Sequence, residues 1–469
     1  MLMKRRWAMA AAGILVLGSA VSHIGVRGVI AEALLPPLYA WEYFHRVLDP
    51  RLPPSPTPSI RDPRPLHLQA EAMRADLERT FLIEDGKLLV LNRPDSHLGD
   101  VCLWQGVYAA TAIFEWRLLP TERNLKAAEA AFDGLALLAT KGNPLARSIY
   151  PASLQTEPGG IQYHRDENRQ WKEDASIDST AGWMFGMAVA LRFLPSRRAA
   201  ALAELRKYAD ALIASGYRLE NSDGTPTRFH RVGGAWLNSP VGVLTTMTAL
   251  RALAHTPGGE QYLREWARFR RERQDRWAAF ASGPALWRNQ TTNHNIAHLA
   301  LSAALLVEDD LDTGGRYANG LARLERLTFH EGNSFWIYLS IWTLDDFRVR
   351  RRTLPAAAAA WLAGRNDHLA RARPAMFEWN YPENKMRAER LNSERSEIEF
   401  VKWPFGPRTP KRPIPVWQRP ASDFVWQRPA RALDDWRKLE DKTPLRFAPM
   451  DFLAAYRLGL LIGALSPEQ

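Results

Sequence analysis

The sequence predicts an all-α fold, an (α/α)6 toroid in which six buried helices alternate with six amphipathic ones. Helical periodicity dominates the chain after residue 65, and strand-like segments are confined to GKLLVLN and GIQYH. The two kinds of helix follow one another at intervals of roughly fifty residues, as in a ring of helical hairpins. A helix that is apolar all round is buried on every side, whereas a helix with one charged face covers it.

The helices predicted to form the inner ring are apolar nearly all round and rich in Gly, Ala and Trp. They span residues 100–118, 178–194, 239–253, 293–307, 333–344 and 450–462. The predicted outer helices span residues 66–81, 122–140, 196–215, 259–281, 313–327 and 354–363, and all but the last of them carry Arg, Lys or Glu on one side. The first outer helix has no partner before it, so we expect it to pair with the last inner helix and close the ring.

The N-terminal segment predicts a membrane anchor or a signal segment at residues 1–30. A basic start is followed by about twenty mostly apolar residues, which is long enough to span a bilayer. The basic residues favour the cytoplasmic side, which places the main domain outside the cytoplasm, in the periplasm. The chain is then a single-pass inner-membrane protein, or a secreted one if it is cleaved at AEA, residues 31–33.

Two further segments are set apart by their composition. Residues 31–65 are Pro-rich and are predicted to form an extended linker to the main domain, residues 66–469. Residues 365–447 are rich in Pro, Trp and Arg and contain VWQRPA twice. This insertion is too long for an ordinary connection, and it is predicted to be an irregular arm on the rim of the toroid or a lid over its cleft.

Composition limits the classes of partner and cofactor. The net charge of +11 suits a nucleic acid, an anionic membrane or an acidic substrate. Arg is scattered and no nucleic-acid motif is present, so no nucleic-acid partner is predicted. The single cysteine, Cys102, excludes an intrachain disulfide and a cysteine metal cluster. No Gly-rich phosphate loop or GxSxG motif occurs, and neither a cofactor nor a metal is predicted.

The helical pattern resembles that of the six-hairpin glycosidases and related polysaccharide lyases over residues 66–465. The phrases that carry the resemblance are CLWQGVYAATAIFEWRL, IDSTAGWMFGMAVALRFL and MDFLAAYRLGLLIG. The resemblance implies a protein that acts on a complex glycan or polysaccharide, those containing uronic acids included. No catalytic signature of a single family matches, and a shared fold does not fix function, so no catalytic roles are transferred.

Polar and aromatic residues precede or begin every predicted inner helix. In a toroid these positions converge at one end of the ring, which we call the mouth. The candidate site residues there are His97, Asp100, Trp104, Asp174, Asp178, Arg228, His230, Trp236, Arg288, Asn293, His294, Glu331, Asn333, Trp336 and Asp451.

A glycoside hydrolase needs two carboxylates, one to protonate the leaving oxygen and one to activate water or attack the sugar. Asp100 and Asp178 begin adjacent inner helices and are the predicted pair, with Glu331 and Asp451 in reserve. Asp, Ser and Asn at a helix start are also common N-caps, which is the alternative role for Asp100. Asp178 is expected to project from its helix, because Ser176 or Asp174 is available as the cap.

Two other functions stay open on the same scaffold. A polysaccharide lyase or uronate epimerase would use His294 or His230 as the base. The substrate carboxylate would be neutralised by Arg228, Arg231, Arg288 or Asn293. A non-catalytic glycan-binding or envelope-assembly protein would keep the toroid without the chemistry. In the hydrolase hypothesis, the mouth residues outside the four carboxylates bind the substrate.

Overall fold

The computed structural model describes most of the main domain. The described residues are 64–93, 100–141, 144–154, 162–231, 239–280, 291–328, 332–377 and 446–468, with isolated positions at 26, 29–30, 32–37, 40, 400–401 and 409–410. Helices make up most of these residues, which confirms the predicted all-α class.

The helices are numbered in chain order. They are α1 Leu66–Asp76, α2 Val101–Leu118, α3 Glu122–Lys141, α4 Ile177–Phe193, α5 Arg198–Ala214, α6 Pro240–Ala254, α7 Glu260–Arg271, α8 Gln274–Ala278, α9 Thr291–Val307, α10 Leu311–Thr328, α11 Ser334–Arg351, α12 Ala356–Ala363, α13 Arg365–Phe377 and α14 Met450–Leu461. A π-helical turn, Leu77–Phe81, continues α1.

Six of these helices, α2, α4, α6, α9, α11 and α14, contact one another in a cycle. Each packs on the next, and α14 packs back on α2. In addition, α4 packs directly on α9, so the middle of the cycle is occupied by helix contacts. Their side chains are buried on nearly every side where they are described, as the even distribution of apolar residues predicts.

The amphipathic helices lie against this cycle. α3 packs on α2, α5 on both α4 and α6, α7 on α6, and α10 on α9. α1 packs on α14, which is the contact expected between the first amphipathic helix and the last buried one.

The predicted helix at residues 259–281 is divided into α7 and α8, because Arg273 between them has a left-handed backbone with φ 58°. The first residues of the predicted insertion form α13, which packs on α11.

Glycines allow α2 and α4 to pack with their backbones in direct contact. A Cβ atom added to Gly182 would overlap the backbone of Leu103, and one added to Gly106 would overlap the carbonyl of Gly182. Gly186 faces the backbone of Gly106 in the same way. Only residues without a side chain permit this approach. It aligns the N-terminal ends of both helices, where the Cys102 thiol donates to the Ser179 carbonyl at 3.5 Å.

The strands are short and lie between the helices. β4 Ser148–Pro151 and β5 Tyr163–Arg165 both pair antiparallel with β6 Arg169–Lys172, and β7 Arg218–Glu220 pairs with β8 Pro226–Arg231. The two-residue strands pair as β1 Leu82–Ile83 with β2 Leu88–Leu89, β3 Asn92–Arg93 with β11 Arg446–Phe447, and β9 Phe400–Val401 with β10 Thr409–Pro410. The β3–β11 pairing joins the segment before α2 to the segment before α14.

In the part of the chain that the structure describes, no helix has both the length and the apolar character needed to cross a bilayer. The apolar run predicted to be the membrane segment comprises residues 7–26, and of these only residue 26 is among the described residues. Glu32, at the start of the predicted linker, contacts the main domain, where its carboxylate accepts from Arg276 at 2.7 Å.

Replacing Gly182 by alanine should destabilise the protein by about 3 kcal/mol or more, because the new methyl group overlaps backbone that cannot move aside. Gly315→Ala is the matched control, since the nearest atom to its added Cβ is Pro355 Cγ at 3.4 Å. Within α10 that change should stabilise by about 0.5–1 kcal/mol. Urea unfolding monitored by circular dichroism measures both. An unchanged midpoint for Gly182→Ala would show that the helices tolerate a wider separation.

Candidate active site

The acidic residues before α4 attach a neighbouring hairpin. Glu173 is buried, and its Oε2 accepts from the backbone N–H of Ser222 at 2.8 Å and from the Ser222 hydroxyl at 3.0 Å. Asp174 accepts from the backbone N–H of Arg228 at 2.8 Å and from its Nε at 2.6 Å. Ser222 and Arg228 belong to the β7–β8 hairpin, so these two carboxylates fix that hairpin beside the start of α4.

Asp174 occupies a backbone conformation that non-glycine residues rarely adopt. Its φ is 64°, and its N–H donates to Asn221 Oδ1 at 2.9 Å. A left-handed non-glycine residue persists only when its surroundings hold it there. The three hydrogen bonds to the hairpin provide that restraint, and they turn the chain sharply before α4 begins.

Ser176 is the N-cap of α4. Its hydroxyl accepts from the Ser179 N–H at 3.2 Å, and the Ser179 hydroxyl accepts from the Ser176 N–H at 3.3 Å. This reciprocal pair is a capping box that satisfies two backbone donors at the helix start. Asp178 therefore has no capping role. Its half-buried carboxylate accepts no hydrogen bond from any residue that the structure describes.

Asp100 precedes α2, and its side chain makes no capping hydrogen bond. Its carboxylate instead lies 3.6 Å from the guanidinium of Arg147. Arg147 is held at this point by its backbone, which donates to the Lys172 carbonyl at 2.7 Å and accepts from the Cys102 N–H at 3.0 Å. Arg147 therefore connects the end of β6 to the start of α2.

Asp100 and Asp178 interact electrostatically. The pKa of Asp178 is raised from its ordinary value of 3.8 to about 6, chiefly by burial and further by the negative charge of Asp100. The positive charge of Arg147 acts in the opposite direction. Asp178 thus holds its proton in mildly acidic solution, whereas Asp100 has a cation beside it. Two carboxylates in such different environments suit the separate roles of acid and base.

Several predicted mouth residues are buried in the helix core instead. Asn333 caps α11 and accepts from the Trp336 N–H at 3.1 Å, and the Trp336 indole donates to Asn295 Oδ1 at 2.9 Å. Trp104 has no exposed surface, and Asp451 is 1% exposed and accepts from the Phe452 N–H at 2.9 Å. In this conformation a substrate reaches none of these side chains, and the reserve carboxylate Asp451 is closed off from solvent.

The start of α9 is partly accessible. Asn293 and His294 are both half-buried, and the His294 ring meets the Trp336 ring edge-on with centroids 6.2 Å apart. His298, one turn further on, is fully buried between the His294 carbonyl at 2.7 Å and Glu325 Oε1 at 3.1 Å. His298 is therefore engaged inside the core. Among the described residues no group of three or more His, Cys, Asp or Glu side chains could hold a metal ion.

Some predicted site residues lie outside the described residues. They are His97, Trp236, Arg288, Glu331 and the side chain of His230.

Two cations at this site were not predicted from the sequence, namely Arg147 and Lys172. Arg147 is remote in sequence from the start of any inner helix, whereas Lys172 lies five residues before α4. They come together because β4 pairs with β6, with Ser148 opposite Lys172. The only sequence signal was that Lys172 directly precedes Glu173 and Asp174.

Asp178→Asn should stabilise the protein at neutral pH. Because the folded-state pKa of about 6 lies above the ordinary 3.8, the native state binds the proton more tightly between these values. The free energy of unfolding of the wild type therefore falls as pH rises through this window. The variant avoids that loss, and we expect it to gain about 1–2 kcal/mol at pH 7.5 and nothing below pH 4. Urea unfolding across this pH range measures the difference, and destabilisation at pH 7.5 would refute it.

Asp174→Asn should have the opposite effect. The change removes the charge and one of the two acceptor oxygens that bind Arg228, so we expect a loss of about 2 kcal/mol. The same unfolding measurement tests this variant, and proteolysis between residues 218 and 231 should accelerate as the hairpin detaches. Stability equal to the wild type would mean that the hairpin is held by other contacts.

Comparisons with known proteins give no further identification. No protein-family model matches the chain, and none of the curated proteins compared with it is significantly similar. The interpretation of this site therefore depends on its own geometry and electrostatics.

Proposed function

We propose that the protein is an extracytoplasmic glycoside hydrolase with an (α/α)6 toroid fold, in which Asp178 is the general acid and Asp100 the second carboxylate. The observation that carries the proposal is the placement of Asp178, half-buried at the start of a helix that Ser176 already caps. Burial and the charge of Asp100 raise the pKa of Asp178 there to about 6. This carboxyl is half-buried, is not needed as a helix cap, and lies on the helix next to that of Asp100. The charged form of this carboxyl is therefore unfavourable at neutral pH, and perturbed pKa values of this kind cluster at functional sites.

The toroid is supported by the order of the helix contacts. The six buried helices touch in sequence order and the last meets the first, while amphipathic helices lie outside them. In such a ring the N-terminal ends of α2 and α4 belong to the same mouth. The assignment outside the cytoplasm is supported by the basic and apolar N-terminal sequence.

The two carboxylates would act on opposite sides of one glycosidic bond. Asp178 in its protonated form would give its proton to the leaving oxygen as the bond breaks. Asp100, which lies beside Arg147, would activate a water molecule or attack the anomeric carbon. After the first step Asp178 is a carboxylate, and it takes a proton back from the incoming water in a double displacement, or from solvent in a single one. Because the reaction starts from protonated Asp178, its rate should fall as pH rises above about 6.

The cations around the pair also suit a lyase or uronate epimerase, in which they would neutralise a substrate carboxylate while His294 removes a proton. The two reactions leave different products. Hydrolysis adds water and releases one new reducing end, whereas β-elimination also creates an unsaturated uronate that absorbs ultraviolet light.

The test is a panel of neutral, uronic-acid and sulfated glycans incubated with the full-length protein, with reducing ends and ultraviolet absorbance measured in parallel. We expect reducing ends without new absorbance. Asp178→Asn and Asp100→Asn should each lower the rate about 100- to 10,000-fold. Asp133→Asn removes a carboxylate on outer helix α3, paired there with Arg197 at 2.8 Å, and should leave the rate unchanged.

Full activity of Asp178→Asn would contradict the proposed acid. New absorbance would identify a lyase instead, and the absence of any product across the panel would favour a glycan-binding protein.

A further inference from the structure

Three cationic residues come together near the start of α4, and one of them, Arg147, faces Asp100. Lys172 is the last residue of β6, and its carbonyl accepts from the backbone N–H of Arg147 at 2.7 Å, so the two residues are neighbours across the sheet. Two residues after Lys172, Asp174 binds Arg228 at 2.5 Å. Strand pairing brings Arg147 next to Lys172, and the Asp174–Arg228 ion pair brings Arg228 to the same region. We call the region formed by Arg147, Lys172 and Arg228 the cationic rim.

Two of these cations have carboxylate partners. Arg147 faces Asp100 at 3.6 Å, and Arg228 is paired with Asp174. Within the described part of the chain, no carboxylate lies at ion-pair distance from the Lys172 ammonium, although the side chain is half-buried. Glu173, the next residue, is engaged with Ser222 and with His164, whose Nε2 is 3.4 Å from Glu173 Oε2. The two acidic residues that follow Lys172 in the chain, Glu173 and Asp174, are thus bound to other residues.

A half-buried ammonium among other cations is electrostatically unfavourable. Burial lowers the pKa of Lys172, and the positive charges of Arg147 and Arg228 lower it further, with Asp174 acting in the opposite direction. An anionic ligand placed at the cationic rim would supply the missing counter-charge. Preorganised charges of this kind give both affinity and selectivity for a ligand of opposite sign.

We propose that Lys172, with Arg147, forms a subsite for an oxyanion carried by the substrate, a carboxylate or a sulfate on a sugar ring. This inference rests on the proposed function, and it specifies the substrate class. Arg147 connects the subsite to the reaction centre, because it lies 3.6 Å from Asp100 and its charge acts on Asp178. The protein then discriminates against neutral glycans of the same length.

Binding tests this subsite separately from hydrolysis. Full-length Asp178→Asn, in which turnover is blocked, is titrated by calorimetry with three oligosaccharides of equal length, one of uronic acids, one sulfated and one neutral. We expect at least one anionic oligosaccharide to bind about tenfold or more tightly than the neutral one. The preference between the uronic-acid and sulfated probes identifies the oxyanion.

Lys172→Gln in the same background should lower the affinity for the anionic probe about tenfold, leave the neutral probe unchanged and weaken the salt dependence of binding. Lys172→Arg should restore most of the affinity, because it restores the charge. Lys207→Gln is the matched control, since it removes an exposed lysine of α5 that is paired with Glu204 at 2.8 Å, and it should have no effect. Thermal unfolding of each variant verifies that it is folded.

Equal binding of all three probes, no binding of either anionic probe, or an unchanged affinity in Lys172→Gln would overturn the subsite. These outcomes are distinguishable from failure of the hydrolase proposal. A protein that binds the anionic probe through Lys172 but cleaves no glycan in its wild-type form keeps the subsite and loses the hydrolase. A protein that cleaves glycans regardless of Lys172 keeps the hydrolase and loses the subsite.

Discussion

The backbone contact between α2 and α4 fixes the relation between the two carboxylates on which the proposed chemistry depends. Gly106 and Gly182 let the helices touch without intervening side chains, and the contact continues to the helix starts through Cys102 and Ser179. A wider separation would reduce the effect of Asp100 on Asp178, since the interaction of charges weakens with distance and with entry of water. Packing in the interior therefore determines the electrostatics at the surface.

The polar residues at the start of α4 have different roles. Glu173 and Asp174 attach the β7–β8 hairpin, and Ser176 caps the helix. Asp178 takes part in none of these contacts, and its burial beside Asp100 costs free energy at neutral pH. This placement, with the local structural roles filled by neighbouring residues, supports the role of acid that we propose for Asp178.

The alternation of buried and amphipathic helices could be predicted because it depends on periodicity within each segment. The sequence offered Ser176 and Asp174 as alternative caps of α4, and the structure selects Ser176. The left-handed turn at Asp174 could not be predicted, since it results from contacts with a hairpin remote in sequence. The same holds for Arg147 and Lys172, which meet only through strand register. Trp104 and Trp336 were predicted to bind substrate, but the structure places both in the core. The sequence does not show whether an aromatic side chain at a helix start faces the core or the mouth.

The most direct test of the site is the pKa of the Asp178 carboxyl itself, measured by carbon NMR on protein labelled at the aspartate carboxyl carbons and assigned with Asp178→Asn. The structure predicts a value of about 6 in the wild type. In Asp100→Asn the value should fall, because the neighbouring negative charge that favours the protonated form is gone. A wild-type value close to the ordinary 3.8, or one that Asp100→Asn leaves unchanged, would contradict a coupled pair of catalytic carboxylates.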